Sequence, residues 1–139
     1  MITYVDTSTL IKLIVDEPGS VQAELIWQSS NALAAARLIV VEARAALAAA
    51  ERDGRLSSIQ LGRARTELGA FLADLHLVEV TEDLIEGAAM LAETEALRGY
   101  DAVHLAAALF VQAAVFTSAD RLLCEAAERQ GLHIANPIG

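Results

Sequence analysis

Cysteine occurs once in this chain, lysine once, and no apolar run is long. Cys124 has no partner, which excludes an internal disulfide and any multi-cysteine zinc cluster and leaves it as a small core residue. The longest nearly apolar stretch, AVHLAAALFVQAAVF, covers 15 residues and carries His104 and Gln112. It falls short of the roughly 20 apolar residues that span a bilayer, so no membrane segment is expected. No basic leader precedes Asp6, which interrupts the one candidate signal core, and a cytoplasmic location is expected. Lys12 is the sole lysine among 10 bases set against 19 acids, a formal net charge of -9. Because Lys and Arg usually supply affinity for phosphates, that balance argues against a nucleic-acid partner unless cations neutralise some acids or the bases are grouped. Six of the ten bases (Arg37, Arg44, Arg52, Arg55, Arg63 and Arg65) do fall between residues 37 and 65. Ordinary helix-surface pairing with Glu51 and Glu67 accounts for them equally well.

What is present points to one α/β domain over residues 1–139. A chain of this length with 55% hydrophobic residues can bury a single sizeable core. Its mean hydropathy is positive, which implies more apolar surface than that core hides and predicts a homodimer or an apolar partner segment. ITYV reads as a strand, STLIKLIVDE as a helix stopped at Pro18-Gly19, residues 20–29 as a second helix and NALAA as a short strand. Residues 37–52 and 57–74 predict an antiparallel helical hairpin turned at Asp53-Gly54. HLVEV, AVFT and LHIAN read as strands, and residues 82–97, 101–113 and 119–130 as helices. Strands alternating with helices predict a mostly parallel sheet covered on both faces.

On this scaffold most acids lie on solvated helix faces and need no function. Glu42 differs: its helical neighbours Leu38, Ile39, Ala45 and Ala46 are apolar, and its place in a helix interior excludes a capping role. A carboxylate there is expected to be paired or metal-bound. Asp6 and Asp120 follow predicted strands and Asp101 opens a predicted helix; each taken alone reads equally well as a helix cap. Together, two lie where open α/β sheets build their ligand crevice, and a third starts a helix facing it. Four carboxylates converging without four bases repel one another, a conflict that hard divalent cations resolve.

YVDTSTLIKL, VVEARAAL, LRGYDAVHLAAAL and FTSADRLL resemble, in order and approximate spacing, the four motif blocks of PIN-domain nucleases, specifically the VapC toxins of bacterial toxin-antitoxin modules. The resemblance runs over essentially the whole chain. It implies a PIN-like three-layer fold, with a mostly parallel central sheet of four to five strands, helices on both faces and the hairpin of residues 37–74. It implies that Asp6, Glu42, Asp101 and Asp120 form a magnesium or manganese site that hydrolyses RNA, with Asp6 and Asp101 the firmest ligands and Glu42 and Asp120 acting partly through water. Ser8 and Thr117 resemble the family's supporting polar shell. The implied partners are an RNA substrate and a cognate VapB-type antitoxin in a hetero-oligomer. In one departure, the segment before Glu42 reads AAARL where the family often carries serine or threonine.

Phosphodiester hydrolysis by one cation or by two is open at this level. His104 follows Asp101 by three residues and could bond it, although packing in the core is the plainer reading. His76 and His133 carry no signal, and Tyr100 could contact substrate. An aspartyl-phosphate phosphatase would carry a second acid where Ser8 stands, and a receiver domain would need a late lysine. The competing reading from another class is a non-catalytic PIN-fold protein that binds RNA or a partner; a degenerate site of that kind is expected to lose an acid, and four are present. Cleavage of structured DNA is a third. An antitoxin segment is expected to seat its apolar side on the hairpin and to place an arginine or lysine among the acids.

Overall fold

The structure is a computed structural model that describes all residues, 1–139. Five strands, β1 (Ile2–Val5), β2 (Ala32–Ala36), β3 (His76–Val78), β4 (Val115–Thr117) and β5 (His133–Ala135), form one sheet, all pairs parallel, in the order β3-β2-β1-β4-β5. Seven helices connect them: α1 (Thr7–Lys12), α2 (Ser20–Ser29), α3 (Ile39–Arg52), α4 (Ser58–Ala73), α5 (Glu82–Thr94), α6 (Gly99–Phe110) and α7 (Arg121–Arg129). A purely parallel sheet is stable only with both faces covered, and its strands then carry apolar residues in succession. β1 fits that rule with Tyr4 and Val5 buried, and β2 fits it with Ala34, Ala35 and Ala36 buried. Alanine is a poor strand former, so β2 owes its state to its neighbours; its small side chains let the flanking helices come close.

From β1 the chain steps outward through β2 to β3, then crosses back past β1 to β4 and on to β5. With the right-handed crossovers that such connections adopt, this reversal places α1 to α4 on one face and α5 to α7 on the other. The helix contacts follow that division, α1 packing on α2 and α3, α3 on α4, α5 on α6 and α6 on α7. The reversal lies between β1 and β4, and the crevice beyond their carboxyl ends is where such sheets bind ligands.

Element ends deviate from the sequence pattern for local reasons. α1 stops at Lys12, well before Pro18, and residues 13–15 continue as turns. Gly19, with φ of 93°, is the N-cap of α2, a left-handed conformation that favours glycine. β3 ends at Val78 rather than Val80, because Val78 pairs with Ala36, the last residue of β2. α5 ends at Thr94 and α6 at Phe110, each followed by a non-glycine residue of positive φ, Ala96 and Gln112. The hairpin is present as α3 and α4, with Gly54 in the left-handed region at its turn and a capping box joining Ser57 and Gln60. Its arginines do not pair with Glu51 or Glu67: Arg37 pairs with Glu79, and Arg55 with Glu17 and Asp53. Cys124 is buried, as expected of a small core residue.

Candidate active site

Asp6 follows β1 directly, and its amide donates to Thr117 O at 3.0 Å, extending the β1–β4 ladder by one residue. Although it stands at the N-cap of α1, its side chain makes no capping bond. Instead Oδ2 accepts from Ser8 Oγ at 2.6 Å and Ser118 Oγ at 2.8 Å. Each hydroxyl is itself held by the backbone after β4, Ser8 accepting from Ala119 N at 2.9 Å and Ser118 from Asp120 N at 3.0 Å. Thr117, expected in the polar shell, bonds Thr9 Oγ1 at 3.1 Å through its hydroxyl; the hydroxyl that reaches Asp6 from this loop belongs to Ser118.

Glu42 lies in the first turn of α3, not in the helix interior, and is half-buried rather than enclosed. It is also not unpaired. Its Oε1 accepts from Thr7 Oγ1 at 2.7 Å and faces His104 Nε2 at 2.5 Å. His104 is fully buried on α6, and Nε2 lies 3.8 Å from Asp6 Oδ1. The imidazole therefore joins Asp6 and Glu42 instead of bonding Asp101. Burial presses the Glu42 pKa upward, but the His104 bond and charge and the Thr7 hydroxyl prevail and leave it below its ordinary value. For His104, burial lowers the pKa, and the Glu42 bond with the charges of Asp6, Glu42 and Asp101 outweighs it, giving a raised value.

Asp101 sits in the first turn of α6 rather than opening it, since Arg98 occupies the N-cap. Arg98 Nε donates to Asp101 Oδ2 at 3.0 Å, and its Nη2 reaches Asp120 Oδ2 at 3.5 Å. Asp120 is a true cap, its Oδ1 accepting from Leu123 N at 3.2 Å to start α7. Burial raises the Asp101 pKa; Arg98 opposes this, and the charges of Asp120 and Asp6 reinforce it. The Cys124 thiol, whose sulfur donates to Ser118 O at 3.3 Å, is pushed up to about 11 by burial and by the charges of Asp6 and Asp120.

The four acids thus occupy one neighbourhood, joined in pairs by two basic side chains, His104 and Arg98. Beside them opens a groove of about 730 Å³, lined by Ile85, Ala88, Ala89 and Ala92 of α5, by Gly99, Tyr100, Asp101 and Val103 of α6, and by Glu42 and Arg98. The apolar groove next to the acids is accordingly built by α5 and α6, not by the hairpin. Signals for Arg98 and His104 were present only as neighbours of Asp101 at three residues on either side, and Ser118 only as a hydroxyl two residues before Asp120.

Whether these residues suit a divalent ion turns on their free oxygens. No three His, Cys, Asp or Glu side chains share a common ligating point as they stand. Asp6 Oδ1, Glu42 Oε2 and Asp101 Oδ1 nevertheless make no hydrogen bond within the protein, and Asp120 Oδ2 meets only the guanidinium. An all-oxygen, anionic set is what hard dications take. The guanidinium is itself a cation held by two of these acids, on a side chain 80% exposed and able to turn aside. The residues fit the ion on those terms.

The sequence matches the profile of the PIN domain over residues 3–129. The chain belongs to the PIN-domain family. It is 39% identical over 136 residues to Ribonuclease VapC45 of Mycobacterium tuberculosis, covering 96% of this chain and 94% of that protein. In fold it resembles FitAcB from Neisseria gonorrhoeae, with a TM-score of 0.75 at 17% identity over 99% of this chain and 98% of that one. It likewise resembles VapBC2 from Rickettsia felis bound to a DNA fragment from their promoter, with a TM-score of 0.68 at 15% identity over 98% of each chain. The α/β architecture, its parallel five-stranded sheet and the VapC resemblance of the motif blocks all agree with this PIN-domain assignment. No helix is long and apolar enough to cross a membrane.

Proposed function

We propose that this protein is a cytoplasmic, single-domain endoribonuclease dependent on Mg2+ or Mn2+, the toxin of a type II toxin-antitoxin pair. The observation that carries the reading is the gathering of Asp6, Glu42, Asp101 and Asp120 beyond the carboxyl ends of β1 and β4, each with an oxygen not committed to a neutral donor. Support comes from the family and from the 39% identity to a ribonuclease. A divalent cation bound by these acids supplies charge relief at the phosphodiester and activation of a water. The chain's own residues do the rest. Ser8 and Ser118 hold Asp6 to the loop after β4, while the α7 cap fixes Asp120. Glu42 and Asp120 act partly through water, and Tyr100, exposed beside Asp101, faces the substrate.

RNA carries its own negative charge to a chain of net charge -9, so the site must become less anionic before a phosphate can enter. Arg98 and the bound cation together meet that need. A VapB-type antitoxin would lay an amphipathic segment along the α5–α6 groove and direct a basic side chain to Asp101 and Asp120, where Arg98 now sits. Exposed Ile85, Met90, Phe110 and Val41 leave apolar surface for such a partner and for a homodimer.

Incubating the chelator-treated protein with RNA, then adding Mn2+, tests the reading. Cleavage is expected only after Mn2+ and not with Asp6→Asn. Cutting that persists in chelator would overturn it, and RNA retained intact under every condition would favour the non-catalytic PIN-fold binding protein.

A further inference from the structure

Tyr4 and His104 are fully buried polar side chains to which the proposed reaction gives no task. They form a continuous chain from the sheet to a candidate ligand. The amide of Ala36, the last residue of β2, donates to Tyr4 Oη at 2.8 Å, and Phe116 stacks on the Tyr4 ring with centroids 5.4 Å apart. Held from two sides, the ring cannot swing. Tyr4 Oη meets His104 Nδ1 at 2.7 Å, and His104 Nε2 meets Glu42 Oε1 at 2.5 Å. Oε1 already accepts from Thr7 Oγ1, and facing that acceptor Nε2 is assigned as the donor of the bond.

We propose that Tyr4 and His104 are a positioning pair for Glu42, transmitting the rigidity of the sheet to its carboxylate and fixing which oxygen meets the cation; the proposal rests on the metal-site reading above. Thr7 donates to the same Oε1 at 2.7 Å, so two donors occupy one oxygen and Oε2 receives none. Oε2 is therefore the ligating atom. Glutamate carries one more torsion than aspartate and loses more rotamer freedom on fixation, so its carboxylate has the more to gain from being held. Packing alone would explain a buried ring at position 104. Burial requires partners for both ring nitrogens; what packing leaves unexplained is their identity, a hydroxyl anchored to β2 on one side and a candidate ligand on the other. Partners of this kind typically change metal affinity about 10- to 100-fold.

Calorimetric Mn2+ titration of wild type, His104→Leu, His104→Gln and Tyr4→Phe, each also in a Glu42→Gln background, tests this, with thermal unfolding as the check on folding. His104→Leu should weaken Mn2+ binding about 10-fold or more, and Tyr4→Phe should weaken it less. His104→Gln, whose amide can still donate to Glu42, should recover most of the loss. In the Glu42→Gln background none of these changes should cost anything further. Independently of metal, a slowly exchanging imidazole N–H resonance should be present in wild type and shift in Glu42→Gln. A folded His104→Leu protein with wild-type Mn2+ affinity overturns the proposal, as does an equal loss in the Glu42→Gln background. Should His104→Leu fail to fold, Tyr4→Phe decides: it removes one oxygen, and unchanged affinity there is equally fatal. Glu42→Gln that binds Mn2+ as wild type does would mean the ligand reading of Glu42 has failed and takes the positioning role with it; loss confined to Glu42→Gln overturns the positioning role alone.

Discussion

The two halves of the acid cluster are bridged by basic side chains of opposite character. Asp6 and Glu42 share His104, which is wholly buried and bonded at both ring nitrogens, whereas Asp101 and Asp120 share Arg98, 80% exposed at the N-cap of α6. One bridge is part of the core and cannot leave without disturbing β1 and β2. The other is a tethered ion that solvent can replace, of the kind that contributes little to stability. A charged cluster can thus be preorganised on one side and exchangeable on the other.

The sharpest way to break this comparison is to remove one acid from each half. Asp6→Asn and Asp101→Asn should both reduce RNA hydrolysis by more than about 100-fold at modest Mn2+, beyond what supporting partners cost. Raising Mn2+ should recover part of the activity of Asp101→Asn but little of Asp6→Asn, because the remaining rigid half still holds its shape only in the former. Equal recovery in steady-state assays would mean the halves do not differ.

A smaller effect is expected at the exchangeable bridge. Arg98→Gln removes the competing guanidinium and should tighten Mn2+ binding several-fold at low ionic strength, the gain shrinking as salt screens the exposed charge. Calorimetry that finds the same affinity in wild type and variant would show that Arg98 does not contend for the site. RNA affinity should move the other way, weakening as a positive charge is lost.

The smallest effect is in the metal-free pH dependence, where the halves should differ in sign. Glu42 is held below its ordinary range, its opposing burial outweighed by His104, so its stabilisation is complete above the unfolded-state pKa and is lost as pH falls through the folded-state value. Asp101 is held above its ordinary range, mainly by burial, so its ionisation disfavours the fold; that penalty is absent below the unfolded-state pKa and complete above the folded-state one. In chelator at pH 7, Glu42→Gln should lower Tm and Asp101→Asn should raise it, each by about 4 °C or less. Both differences should shrink in acid, where the native side chains become neutral as well.

The order of strands and helices, the hairpin and the placement of Asp6 and Asp120 just after strands were legible in the sequence because they rest on local signals: β-branched and aromatic runs, helical apolar spacing, Asp-Gly and Pro-Gly breaks, and acids at element ends. The partners of those acids were not legible. His104 bonds a glutamate 62 residues away and Tyr4 a histidine 100 residues away, and Ser118 reaches Asp6 across 112. No periodicity encodes such pairs; they exist because β1 and β4 lie side by side and α6 packs against the sheet. Equally, the sequence suggested an apolar groove on the hairpin because alanine is concentrated there, while the groove beside Asp101 and Glu42 is lined mainly by residues of α5 and α6. Residue type and spacing determined which acids the chain carries and on which elements they stand; only the tertiary structure decided which oxygen of each carboxylate is already bonded and which is free, since that depends on donors brought from distant elements and on the geometry of their approach.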